Sequence, residues 1–245
     1  MSDVTDCASI DDEDVDPVTL EVVRNAAEAV AEEMNATLVR TAYSPNIKER
    51  RDCSCALFDR EASLVAQAEN IPVHLGAMPF SVAGALDRFP PETLAPGDAV
   101  LVNDPYRGGA HLPDLTLVSP VFADGDLVAY AANRAHHADV GGAVAGGVAA
   151  DSTEIYQEGV RIPPVKLYDG GDPVDAVFDL LLANVRTPRE RRGDLRAQRA
   201  ANETARRRVA ELVEEYGVAD LSTVFTAVQD YSERRTRTAI AELPD

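Results

Sequence analysis

The sequence predicts a mixed α/β fold, a mixed or antiparallel β-sheet flanked by helices, with a helical layer at the C-terminal end. Three observations predict it. Residues 17–40 carry apolar side chains at helical spacing, residues 53–133 break into short strand-like runs separated by turn residues, and helical periodicity returns from about residue 173 onward.

Taken in order, residues 1–16 hold seven acids and almost no apolar periodicity, which predicts a disordered acidic leader. Asp16 followed by Pro17 is a helix start, and Val23, Ala26, Ala27, Val30, Met34 and Leu38 fall on one face of a helix running to Arg40. Cys53–Phe58 and Ser63–Gln67, joined by a turn at 59–62, form a hairpin. A short helix is expected over Pro79–Arg88, stopped by Pro90 and Pro91. Ala99–Asn103, Leu115–Phe122 and Leu127–Asn133 are strands, the last two turning at Asp124-Gly125. The stretch between Gly141 and Pro173 is expected to be irregular. Thr187-Pro188-Arg189-Glu190 reads as a capping box opening a long helix that stops at Gly217, and a final helix spans Ser222–Leu243. Residues 17–185 and 186–245 are thus expected to form one continuous domain.

Composition excludes several classes. A net charge of −19 opposes nucleic-acid binding, which needs a basic surface to displace counterions. No apolar run approaches a membrane span, and the acidic start lacks the basic and then apolar order of a signal peptide. Cys7, Cys53 and Cys55 form no even framework, so reduced thiols and a cytoplasmic setting are expected. Only Lys48 and Lys166 among 23 basic residues are lysine, and with the acid excess this suggests a halophilic, salt-adapted source. The acidity is uneven: residues 186–245 hold 12 Arg against 11 acids, whereas residues 1–185 hold 11 basic and 31 acidic residues.

Three of the four histidines fall in two short segments. One is Asn103-Asp104-Pro105-Tyr106-Arg107-Gly108-Gly109-Ala110-His111-Leu112-Pro113-Asp114. The other is Ala135-His136-His137-Ala138-Asp139-Val140-Gly141-Gly142, and both are expected at strand ends. Neutral imidazoles together with carboxylates are the ligand set of Zn²⁺, Mn²⁺ or Fe²⁺, so His111, Asp114 and His136 are candidate ligands of a divalent metal. The competing reading has these histidines capping strand ends through backbone hydrogen bonds. Glu49 and Asp52 lie in a charge run that reads equally well as a solvated segment. His74, flanked by apolar residues, fits either a satisfied core histidine or a site residue. Cys53 and Cys55 share one strand face and are expected to pack. Asp194, Gln198 and Asn202 form a polar row at i, i+4, i+8, expected to face solvent. No phosphate-binding loop, dinucleotide fingerprint, nucleophile elbow or His-Glu-x-x-His motif is present.

The ordered runs Asn46-Ile47-Lys48-Glu49-Arg50-Arg51-Asp52, Ser54–Asp59, Ile71–Met78, Asn103–Asp114 and His136–Gly142 together resemble the hydantoinase B/oxoprolinase family over about residues 17–245. The resemblance implies a B-type subunit of an ATP-dependent cyclic-amide hydrolase of the N-methylhydantoinase or 5-oxoprolinase kind. ATP would be bound by a hydantoinase A-type partner that activates the substrate by phosphorylation. Related acetone carboxylases imply a ketone-carboxylating alternative and a metal held by Glu49, His111, Asp114 and His136. Asp139 and His74 would then move protons, with Asp52, Asp104 and His137 supporting the ligands. Family subunits are longer, so an N-terminal half is expected, its complement separately encoded or missing; in that last case the chain would only bind the A subunit.

Overall fold

The computed structural model describes residues 15–68, 70–147 and 149–243; the acidic leader expected over residues 1–16 falls almost wholly outside them. Helix α1 spans Pro17–Thr41, with the Asp16 carboxylate accepting from the Thr19 N–H at 3.0 Å. After the single turn α2 (Pro45–Lys48) come β1 (Cys53–Asp59) and β2 (Leu64–Ala68), then α3 (Pro72–Arg88) and β3 (Ala99–Val102). Strands β4 (Asp114–Ala123) and β5 (Asp126–His136) form the central hairpin. They are followed by β6 (Val165–Asp169), β7 (Asp172–Pro173), α4 (Asp175–Ala183), α5 (Pro188–Tyr216) and α6 (Val218–Ala241).

The strands build one seven-stranded sheet in the order β2-β1-β5-β4-β3-β6-β7, every neighbouring pair antiparallel. Antiparallel pairing suits a chain whose central strands are joined by a two-residue turn, with Asp124 (φ 53°) and Gly125 (φ 92°) both left-handed as that turn requires. Side chains alternate across the sheet. Ala56, Phe58, Val118, Tyr130 and Ala132 face Met78 and Val82 of α3. Cys53, Cys55, Leu57, Ala129 and Ala131 face the opposite layer, where α1, α5 and α6 supply Met34, Leu38, Ala201, Val209 and Phe225. A third cluster joins Leu101, Leu117 and Leu167 to Phe178, Leu181 and Leu195.

Four expectations need correction. Helix α3 begins seven residues before Pro79, because Pro72 occupies a first-turn position where its missing N–H costs nothing; Pro79 is carried inside the helix. The segment after Gly141 contains β6 and β7 at the sheet edge, where β6 finds its place by pairing with β3, more than sixty residues earlier. Thr187 makes no side-chain cap; its hydroxyl instead accepts from Arg191 Nη1 at 3.3 Å, and the second arm of that guanidinium holds Asp194 at 2.9 Å. The row Asp194, Gln198 and Asn202 is buried rather than solvated.

That row fastens α5 to the sheet. Asn133 donates to the Gln198 carbonyl at 2.8 Å and to Asn202 Oδ1 at 2.7 Å. Gln198 donates to the Leu115 carbonyl and to Asn133 Oδ1, and Asn202 to the Leu117 carbonyl and Ser119 Oγ. Asp194 Oδ1 accepts the Tyr43 and Ser44 N–H groups at 2.8 and 3.0 Å, tying the end of α1 to the same helix. A network this complete repays its burial only as a whole, since removing one member strands its partners without water. Replacing Asn133 with Ala is expected to lower unfolding free energy by about 2–4 kcal/mol in a urea titration; a loss within the range of an ordinary surface substitution would show that the network is dispensable.

Candidate metal centre

Register places the centre. Asp114, the first residue of β4, is the cross-strand partner of His136, the last of β5, so both side chains leave the sheet on the α3 face at one end. Both residues are expected just beyond the strands Leu115–Phe122 and Leu127–Asn133; the strands run further and hold them on rigid backbone. His136 Nδ1 lies 2.8 Å from Asp114 Oδ1, and its backbone N–H donates to the Asp52 carbonyl at 2.9 Å, extending the β1–β5 ladder by one step. A tight turn brings His111 to the same place: the Asp114 N–H donates to the His111 carbonyl at 2.9 Å, and the His111 and His136 rings stack with centroids 5.6 Å apart.

One potential ligand atom from each of His111, Asp114 and His136 lies within 4.8 Å of the other two. Two imidazoles and a carboxylate, half to fully buried and converging this closely, fit a borderline divalent ion by their chemistry. Glu49 is exposed at the end of α2 and does not join the three at this spacing.

Other expected site residues divide by position. His74, in the first turn of α3 and 2% exposed, has Nε2 3.6 Å from Asp52 Oδ1 and 3.9 Å from Asp114 Oδ1, with Nδ1 3.4 Å from Ser54 Oγ. His74 and Asp52 therefore stand directly behind the three. His137 points to the opposite face, with Nε2 2.9 Å from Gln198 Oε1. Asp139 is not gathered into the cluster: its oxygens take the Arg186 backbone N–H at 2.5 Å, Arg186 Nη1 at 2.9 Å and the Gly141 N–H at 3.3 Å, a pairing that pins a loop. Asp104 caps the turn at Pro105–Arg107 through the Tyr106 N–H and faces Arg161 at 3.5 Å.

Sequence reasoning missed Arg134. This guanidinium is completely buried one step along β5 from His136, in register with Ser54 of β1 and Thr116 of β4. Its Nε donates to Thr116 Oγ1 at 2.8 Å and Nη2 to Ser81 Oγ at 2.6 Å, with no carboxylate among the described residues within 4.0 Å. A lone charge inside the apolar run of β5 was the signal available for it.

Electrostatics follow from this packing. Burial raises the Asp114 carboxyl, but the hydrogen bond from His136 and the neighbouring charges of His74, His136 and Arg134 outweigh it and hold it below the ordinary range. The same hydrogen bond, donated to the Asp114 carboxylate, raises His136. Burial lowers His74, so beside the same carboxylate it favours the neutral ring. Burial pushes the Cys53 thiol up to about 12 and holds Cys55 well above its ordinary value too, marking both as packing groups and not nucleophiles.

Residues 16–245 match the hydantoinase B/oxoprolinase family. The chain belongs to that family. It is 38% identical to the caprolactamase subunit beta of Pseudomonas jessenii over 94% of this chain and 40% of that protein. It is 36% identical to 5-oxoprolinase PfmaA of Pestalotiopsis fici over 99% of this chain and 20% of that one. The crystal structure of the ATP-dependent caprolactamase from Pseudomonas jessenii superposes with a TM-score of 0.89 at 38% identity, covering 95% of this chain and 40% of that chain. Nucleotide-free acetone carboxylase shares the fold, with a TM-score of 0.79 at 20% identity over 86% of this chain and 28% of that one. The chain thus spans less than half the length of the relatives it matches. No described helix is long and apolar enough to cross a membrane.

His137 gives a test of this geometry that needs no metal. Burial lowers its pKa from 6.5 to about 4, so the folded state holds the ring neutral while the unfolded chain takes up a proton. Its contribution is present above pH 6.5 and is lost as pH falls toward 4, a change of about 3 kcal/mol. Denaturant titrations across that window should show a steeper decline for the parent than for His137→Gln; parallel curves would contradict the buried neutral ring.

Proposed function

We propose that this chain is the metal-bearing part of a B-type subunit of an ATP-dependent amidohydrolase that opens cyclic amides of the hydantoin, 5-oxoproline or lactam class. The observation that carries the reading is the convergence of His111, Asp114 and His136 at one sheet end, in a chain whose relatives include caprolactamase and 5-oxoprolinases. Those relatives, at 36–38% identity, weigh more than the likeness of fold to acetone carboxylase at 20%, so hydrolysis is preferred to ketone carboxylation.

In this reading His111, Asp114 and His136 hold a divalent ion, Mn²⁺, Zn²⁺ or Fe²⁺; Glu49, which the family resemblance implies as a fourth ligand, stands apart from the three and would have to move toward them to join. When bound, the ion supplies Lewis-acid polarisation of a carbonyl oxygen. The protein's own groups do the rest. Asp114 fixes the orientation of His136, and Asp52 fixes its backbone. His74, neutral and beside Asp114, is placed to take a proton and return it. Phosphorylation of the substrate with ATP is assigned to a hydantoinase A-type partner, because the chain has no phosphate-binding loop. A reducing, cytoplasmic setting fits the buried free thiols of Cys53 and Cys55.

Elemental analysis after loading with Mn²⁺ or Zn²⁺ is expected to find about one ion per chain, with affinity lowered more than about tenfold in Asp114→Asn or His136→Ala. A chain that retains no divalent ion after loading sinks the metal centre. Affinity should also fall as pH is lowered into the range where His136, raised by Asp114, keeps its proton, since binding must displace it. The reaction class is tested by reconstitution with an A-type partner and ATP. ADP release with 5-oxoproline or hydantoin supports hydrolysis, whereas bicarbonate uptake with acetone overturns it.

A further inference from the structure

On the sheet face opposite the metal centre, the first turns of α5 and the segment leaving α1 enclose a cleft of about 290 Å³. Arg189, Arg192 and Arg196 line it from one side of α5, at spacings of three and four residues, and Tyr43 faces them. We infer that this cleft binds an oxyanion of the phosphate class.

Charge is the first support. In a chain of net charge −19, the neighbouring arginines find acids: Arg191 pairs with Asp194, and Arg199 with Glu203. Among the described residues no carboxylate lies within 4.0 Å of Arg189, Arg192 or Arg196. Three arginines lining one cleft without a carboxylate partner leave an excess of positive charge there, which a phosphate-class anion offsets while accepting their paired N–H groups. The cleft also sits at the start of a 29-residue helix whose Thr187 makes no side-chain cap, so the positive end of the helix adds to the same field.

Rigidity is the second support, and it is independent of charge. Tyr43 is 58% exposed, yet it does not hang free. Its N–H and that of Ser44 are both anchored on Asp194 Oδ1. Its ring packs against the helix at Gly193, where a Cβ would overlap the ring carbons. Arg192 is steadied in turn over the Phe178 ring, 5.3 Å from its centroid. An exposed aromatic wall held this firmly beside three guanidiniums is a concave, preformed site suited to a small ligand. An acidic protein surface, the other occupant of suitable charge, would be expected to meet a flatter patch.

The inference does not rest on the metal centre, because the cleft shares no residue with it. Calorimetric titration of the full chain with inorganic phosphate and with pyrophosphate, at ionic strength held constant with chloride, is expected to show saturable binding, tighter for pyrophosphate. The double variant Arg192→Gln/Arg196→Gln should weaken it by about tenfold or more, with helix content by circular dichroism unchanged. Gly193→Ala should weaken it separately by displacing the Tyr43 ring. Absence of saturable binding by the parent overturns the inference, as does parental affinity in a folded double variant. It is overturned equally if the double variant loses only its association with an A-type partner.

Discussion

The register between β4 and β5 is the constraint on which the rest depends. Because side chains alternate along a strand, one register sends Asp114, Thr116, Arg134 and His136 to the α3 face and Leu115, Leu117 and Asn133 to the α5 face. A slip by one residue would place a carboxylate and a guanidinium against the aliphatic layer under α5 and remove Asn133 from Gln198. The cluster of His111, Asp114 and His136 and the polar fastening of α5 are therefore two outcomes of one pairing, stabilised on opposite faces. Neither can be lost without weakening what selects the other.

Buried charge explains why this end of the sheet needs so many partners. Arg134 and Asp114 occupy the same face one strand step apart, each deeply buried, and each lies in the other's field. Placing one alone there would cost several kcal/mol. Thr116 and Ser81 meet Nε and Nη2 of the guanidinium, whose Nη1 stays buried without a hydrogen-bond partner among the described residues, and His136 meets the carboxylate. The result is a carboxylate kept ionised in a largely dry corner, ready for a cation without first shedding a proton.

Much of this was legible in the sequence, and what escaped has physical causes. Helix α1, the β1–β2 hairpin, the central strands and the stop at Gly217 follow from local patterns that tertiary packing only confirms. Clustering of His111, Asp114 and His136 marked the site, and the structure brings those three together. Local pattern failed where the answer depended on distant partners. Asp194, Gln198 and Asn202 have the spacing of a solvated row, but Asn133 and the β4 carbonyls, more than sixty residues away, turn Gln198 and Asn202 inward, and the Tyr43 and Ser44 N–H groups at the end of α1 hold Asp194. The resemblance implies a proton-moving role for Asp139, and the structure pairs its carboxylate with Arg186, 47 residues on, a partner that no local pattern indicates. Thr187 had a capping box in its text, and Arg191 captured the hydroxyl.

The position of His74 shows how helix and sheet cooperate in the site. Had α3 begun at Pro79, His74 would have sat in a connecting loop, free to rotate. Extending the helix back to Pro72 fixes its backbone, and Ser54 and Asp52 of the β1 edge bracket the two ring nitrogens. Its neutrality then follows from enclosure, even though two carboxylates near it pull the other way. The neighbouring His136, less enclosed and in direct contact with Asp114, is pushed in the opposite sense. Two histidines sharing one carboxylate thus acquire different proton affinities from burial and contact alone. Opposite shifts in neighbouring titratable groups are the pattern by which one site separates its protonated from its unprotonated members.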